Sequence, residues 1–271
     1  VRNFSEQVMS RKSIVSALAV VLVLGGVLLF FIVKRPQAMQ SPVVTSANNG
    51  GTAMLLVFSK TAGYRHASIK DGISAITKLA SQHDVHVDFT EDASVFTVDN
   101  LARYKAVVFL STSGTILDAE QKAAFEHYIH AGGGYAGIHS ATDTEYDWAW
   151  YGQLVGAFFK NHPHTAPATI NVEDQQHSST SMLPKKWVRT DEWYNFRTNP
   201  RAHVHVLMTL DETTYGGGTM GKDHPLAWYH DFEGGRAWYT ALGHTPESFS
   251  EPLFLAHLWG GIAYAAGLGD K

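Results

Sequence analysis

Apolar residues in this chain come in short runs, each closed by a polar turn. AMLLVF (53–58) and KAVVFL (105–110) are continuous apolar runs of strand length, which predicts strands buried on both faces. VHVDFT (85–90) alternates as a half-buried strand does, and GYAGI (134–138) is a further short strand. Between them Ile69, Ile73, Ile76 and Ala80 recur at helical spacing. Asp118 can cap a helix carrying Phe125, Tyr128 and Ile129, with Gly132 to Gly134 ending it. Trp148, Tyr151, Val155 and Phe158 mark another helix. Alternation of this kind predicts an α/β fold: a doubly wound, mainly parallel sheet with helices on both faces.

From about residue 165 the rhythm changes. TAPATINV, HVHVLMTL, PLAWYH and RAWYTAL are strand-like, with few helical stretches between them. They extend the sheet or form an antiparallel edge. Leu255, Leu258, Ile262 and Ala265 suit a closing helix.

One apolar run is longer than the rest. Ser13 to Val33 holds 21 residues without a charge, flanked by Arg11–Lys12 and Lys34–Arg35. At 1.5 Å per residue it reaches roughly 30 Å, one hydrocarbon core. A cleaved signal peptide should have an apolar region of about 7–15 residues ending near a small-x-small site. KRPQAMQ is a poor site, and TSA (45–47) lies far from the run. The expectation is an uncleaved single-pass transmembrane helix in a tail-and-anchor segment, 1–35. It places a short basic tail inside and exports the large domain to the periplasm or cell exterior. A Pro-, Ser-, Asn- and Gly-rich tether, 36–52, follows, and the globular domain occupies 53–271.

Composition narrows the chemistry. With 45% hydrophobic and 17% charged residues, the 271-residue chain can bury a large core. A net charge of −4 offers no basic face for nucleic acid. Cysteine is absent, which removes disulfides, thiolate nucleophiles and Cys-ligated zinc. Fifteen histidines remain as the main source of acid–base groups or metal ligands.

Parallel sheets bind ligands beyond the carboxyl ends of their strands. The first strand ends in a loop with Tyr64, Arg65 and His66; the third ends in Ser111, Thr112 and Ser113; the fourth ends in His139, Ser140, Thr142 and Asp143. The later part adds DEWYNF (191–196), HPLAWYH (224–230) and LGHTPES (242–248).

Together FSKTAGYRHASI, GGYAGIHSATDT, DEWYNF, HPLAWYH and GRAWYTALGHT resemble the ThuA-like (trehalose utilisation) family, over about 54–267. The resemblance implies a flavodoxin-like fold of the class I glutamine amidotransferase-like superfamily, and a role in carbohydrate metabolism on a sugar or keto-sugar derivative. In the amidotransferases the turn after the fourth strand carries a nucleophilic Cys within Gly-x-Cys-x-Gly. Here His139 takes the central position and Ala141 replaces the second Gly, so cysteine-based glutamine hydrolysis is excluded.

The candidate catalytic residues are His139, His66, Glu192 and His244. The candidate substrate-binding residues are Tyr64, Ser111, Ser140, Asp143, Trp193 and Tyr194. Asp143 orients His139 or caps the next helix, and Trp193 and Tyr194 beside Glu192 could stack on a sugar ring. No HExxH or similar local metal signature is present, but three imidazoles with an open position would suit a divalent metal such as zinc. His162 and His164 belong to a loop leading into a strand, and His203 and His205 to a solvated strand face. The expected partners are a small carbohydrate and, through Ser13–Val33, a membrane. The leading expectation is a hydrolase, isomerase or lyase; its rivals are a non-catalytic carbohydrate-binding or sensing domain and an interaction module.

Overall fold

A computed structural model describes residues 52–269. The elements run β1 (Ala53–Phe58), α1 (Ile69–Gln82), β2 (Val85–Thr90), α2 (Val98–Leu101), β3 (Ala106–Leu110), α3 (Ala119–His130), β4 (Gly134–Ile138) and α4 (Ala149–Val155). Then follow β5 (Phe159–Asn161), β6 (Ala166–Val172), β7 (Lys186–Asp191), β8 (Asn195–Phe196), β9 (His205–Asp211), β10 (Pro225–Phe232), β11 (Gly235–Thr240) and α5 (Pro252–Ala266). Among the described residues no helix is long and apolar enough to cross a membrane; the segment Ser13–Val33 lies outside them.

Nine strands form one mixed sheet in the order β2-β1-β3-β4-β11-β10-β9-β6-β7, and β5 pairs with β8 in a separate two-stranded annex. From β2 to β11 every pairing is parallel. From β11 to β7 every pairing is antiparallel. The strand-like runs after residue 165 therefore extend the sheet: β11 joins β4 in parallel, and β10, β9 and β6 continue it antiparallel.

The parallel half is ordered by burial. Every residue of β3 and β4 is buried, as the uninterrupted apolar runs require. Neighbouring residues of β3 identify the two faces. Phe109 meets the rings of Phe125 on α3 and Tyr151 on α4. Leu110, pointing the other way, packs against Gly72 on α1. Helices thus cover both faces, consistent with a flavodoxin-like fold. Asp118 caps α3 in a full capping box with Gln121. The fourth helix is shorter than its apolar spacing suggests: Trp148 stands at its N-cap, and Phe158 lies beyond its end at Val155.

Strand direction places the site. Four successive antiparallel pairings return β7 to the direction of β11. The carboxyl end of β7 therefore lies on the same rim as those of β1, β4 and β11. In a flat sheet four strand spacings of about 4.8 Å would hold β7 roughly 19 Å from β11. Yet the Asp191 carboxylate, at the end of β7, accepts the Gly243 N–H beyond β11 at 3.0 Å. The antiparallel half consequently curls back on itself. Trp187 and Arg189 on β7 face the start of α5: Trp187 Nε1 donates to Glu251 at 3.1 Å, and the Arg189 guanidinium lies over the Phe254 ring.

Candidate active site

His139 leaves β4 in the left-handed region, with φ 52°. That region is costly for a residue with a Cβ, and its occurrence at the end of a parallel strand is a sharp, elbow-like turn. Gly137, two residues earlier, allows the turn to close. A Cβ there would lie 2.7 Å from the Tyr135 hydroxyl and 3.2 Å from Ala141 Cβ. The His139 carbonyl is pinned by the Tyr239 hydroxyl at 2.8 Å.

The imidazole is equally fixed. His139 Nδ1 lies 2.8 Å from the Ala241 carbonyl, an oxygen that can only accept, so Nδ1 carries the proton. Its Nε2 faces three partners: His66 Nε2 at 3.1 Å, His244 Nδ1 at 3.2 Å and Glu192 Oε2 at 3.4 Å. His244 Nδ1 is also 3.1 Å from Glu192 Oε2. The structure therefore brings together all four of the catalytic candidates named from sequence. His66 is held from behind by Ser140 Oγ, 3.3 Å from its Nδ1. The Tyr194 ring lies against His139 with centroids 4.4 Å apart.

Charge in the cluster is shared unevenly. Burial, reinforced by the neighbouring imidazoles, pushes His66 down to about 3. Burial alone would raise the Glu192 carboxyl. The neighbouring His244 and His139 imidazoles outweigh it and hold Glu192 below the usual carboxylate range. The bond to Glu192 raises His244.

These four residues fit a divalent cation. One donor atom from each lies within 4.8 Å of every other. Four of the six separations, at 3.1–3.4 Å, are close to the edge of about 3.3 Å in a tetrahedron with bonds of about 2.0–2.1 Å, and the two from His66 to His244 and Glu192 stay within 4.8 Å. Imidazole nitrogen and carboxylate oxygen are the donors that zinc and similar ions take. A single lone pair on His139 Nε2 cannot satisfy two donors and face a carboxylate as well, whereas a cation would draw on all four groups.

Other candidates have different places. Tyr64 is 65% exposed at the mouth, its ring edge-on to His66 at 4.8 Å. Asp143 does not cap α4; its carboxylate accepts the Tyr146 hydroxyl at 2.6 Å, and burial raises it above the normal range. Ser140 is buried against His66. Ser111 is buried at the end of β3 with φ 49° and no hydrogen-bond partner for its Oγ. Trp193 corrects an expectation. It is 0% exposed, and its Nε1 donates to the Ala166 carbonyl at 2.8 Å, so it is a core residue and offers no ring to a sugar. Tyr194 is buried too and serves as backing for His139.

Two residues escape the sequence reading. Asp191, fully buried, accepts from the backbone N–H groups of Glu192, Gly243 and His244 and pairs with Arg189 at 3.1 Å. One carboxylate thus fixes the backbones of two donors, one beyond β7 and the other beyond β11. His162 places Nδ1 3.0 Å from Glu192 Oε1. Its only sequence signal is the neighbouring His-Pro-His pattern, which is weak.

The trehalose utilisation model, ThuA, matches residues 54–265. The chain belongs to the ThuA family. Solved structures agree on the fold. A ThuA-like protein of Bacteroides uniformis is 22% identical, with 79% of this chain and 91% of that one covered and a TM-score of 0.68. A ThuA-like protein of Parabacteroides merdae is 20% identical, covering 80% and 90%, with a TM-score of 0.65. A β-galactosidase of Bacillus circulans matches with 13% identity, 80% of this chain and 31% of that one, and a TM-score of 0.51. No curated protein matches the sequence. At these identities the structural likenesses show the ThuA fold alone.

Proposed function

We propose that this ThuA-family protein is an enzyme acting on a sugar or keto-sugar derivative through acid–base or metal-assisted chemistry. The convergence of His66, His139, His244 and Glu192 carries the reading. A bound divalent ion would polarise a carbonyl or hydroxyl oxygen of the substrate. His139 presents Nε2 to the site because its Nδ1 proton is held by Ala241. Glu192 keeps its charge and can accept a proton from a carbon next to a carbonyl, or from water. Hydrolysis, isomerisation and elimination all draw on these roles. With no cysteine, the amidotransferase-like fold carries no cysteine-based glutaminase chemistry here.

The test is a turnover screen of disaccharides, monosaccharides and their keto derivatives, with metal-stripped protein and after adding back zinc, manganese or magnesium. Turnover that disappears in His139→Ala and Glu192→Gln supports the reading. Saturable sugar binding without turnover would instead make the domain a sensor. The proposal extends to the N-terminus, where Ser13–Val33 would tether the domain to a membrane with the domain exported. Mass spectrometry of the native protein should then find the N-terminal tail intact, and a mature terminus near Asn48 would overturn it.

A further inference from the structure

The Glu192 carboxylate is divided between two directions. Oε2 faces the imidazoles of His139 and His244. Oε1 faces His162, whose Nδ1 is 3.0 Å away. His162 Nδ1 is also 2.8 Å from the Pro163 carbonyl. A carbonyl only accepts, so Nδ1 carries the proton and donates to Pro163, with Glu192 Oε1 alongside the same nitrogen at 3.0 Å. That nitrogen has no lone pair to offer a cation, so His162 is not a fifth donor through it. Its ring is held in place, stacked at 6.0 Å on Tyr194 and tilted at 5.8 Å against Phe159. Tyr194 in turn backs His139. The side chain is nonetheless 41% exposed, so it supports no core of its own.

We infer that His162 is a positioning residue that holds Glu192 by its outer oxygen, so that the carboxylate offers the cluster one oxygen instead of two. The inference rests on the metal reading of the site. A carboxylate free to turn can bind an ion through both oxygens and so fill a position that substrate oxygen would need. Tied at Oε1, it presents Oε2 alone. Loss of a residue that orients a ligand typically weakens metal binding by about 10–100-fold.

The experiment measures zinc affinity by competition with a chromophoric chelator, and the visible spectrum of the cobalt-substituted protein, which reports coordination number. The proteins are wild type, His162→Ala, His162→Leu and His162→Asn. Asn can place an amide N–H close to the position of the imidazole Nδ1–H. The expected result is affinity about 10-fold or more weaker in the Ala and Leu variants, with an altered cobalt spectrum, and recovery of both in Asn. Ala and Leu variants that match the wild type in affinity and spectrum would overturn the positioning role while leaving the metal site intact. A wild-type protein that takes up no zinc would overturn the metal reading, and this inference with it.

Discussion

His66, His139 and His244 stand on turns that leave β1, β4 and β11, whereas Glu192 and His162 stand on the connections around the annex formed by β5 and β8. The two groups are held by different means. In the parallel half, backbone geometry aims the side chains: buried strands end in register, and His139 is turned inward by a left-handed φ of 52°. In the curled half, side chains do the aiming: Asp191 gathers N–H groups from two loops, and His162 grips one oxygen of Glu192. A rim built by strand ends tolerates changes in side chains away from the site. A rim built by a carboxylate network does not.

The comparison breaks if removing a rim donor proves harmless. His139→Ala should lower turnover by about 10²–10⁴-fold, the usual contribution of an acid–base group, while Tm changes little. Loss of stability with specific activity retained would make His139 a buried structural group.

The curled half is tested by Asp191→Asn. An amide nitrogen would face N–H or guanidinium donors that the carboxylate now accepts. Breaking a buried ion pair of this kind costs about 3–5 kcal/mol. Urea denaturation should show that loss, and binding of zinc should weaken with it. A variant within about 0.5 kcal/mol of wild type would mean that the two loops are joined by something else.

Acid sensitivity separates packing from site chemistry. His230 on β10 is 7% exposed with neither ring nitrogen bonded, and burial pushes it down to about 4. Its folded pKa lies below the unfolded value of about 6.5, so the unfolded chain binds more protons in that window. Stability is therefore full above about 6.5 and falls as the pH drops toward 4. His230→Leu should flatten this fall by roughly 2 kcal/mol between those limits, measured by denaturant melts at several pH values. An unchanged slope would locate the acid sensitivity elsewhere.

The smallest effect concerns strain. Glycine normally destabilises relative to alanine, but at a positive φ the order reverses by about 1 kcal/mol. His139→Gly should therefore melt above His139→Ala. The opposite order would mean that the turn relaxes once the imidazole is gone.

Legibility in the sequence follows the same division. β1, β3 and β4 are apolar runs, so their ends, and His66 and His139 beyond them, can be located by counting. His244 follows another such run, and Glu192 stands out by its place in DEWYNF. β7 was hidden because its buried face carries Arg189 and Asp191, which read as solvent-facing. The curl that makes Asp191 a joint is a property of sheet twist over four antiparallel pairings, beyond the reach of any local pattern. Trp193 looked like a platform because an aromatic beside a carboxylate gives no sign of which way it points. His162 reads as loop for a related reason: its partner lies 30 positions away.

The joint at Asp191 also sets an order of events. It links residues 52 and 53 positions apart, and His244, one of the donors it steadies, meets His139 105 positions away. Contacts of such range close late, because loop entropy must be spent before they give anything back. The constellation therefore acts as a receipt for completed folding. In refolding from urea, far-ultraviolet signal from the helices should return before the protein can compete with a chelator for zinc. Simultaneous recovery would mean that the donors gather before the sheet has curled.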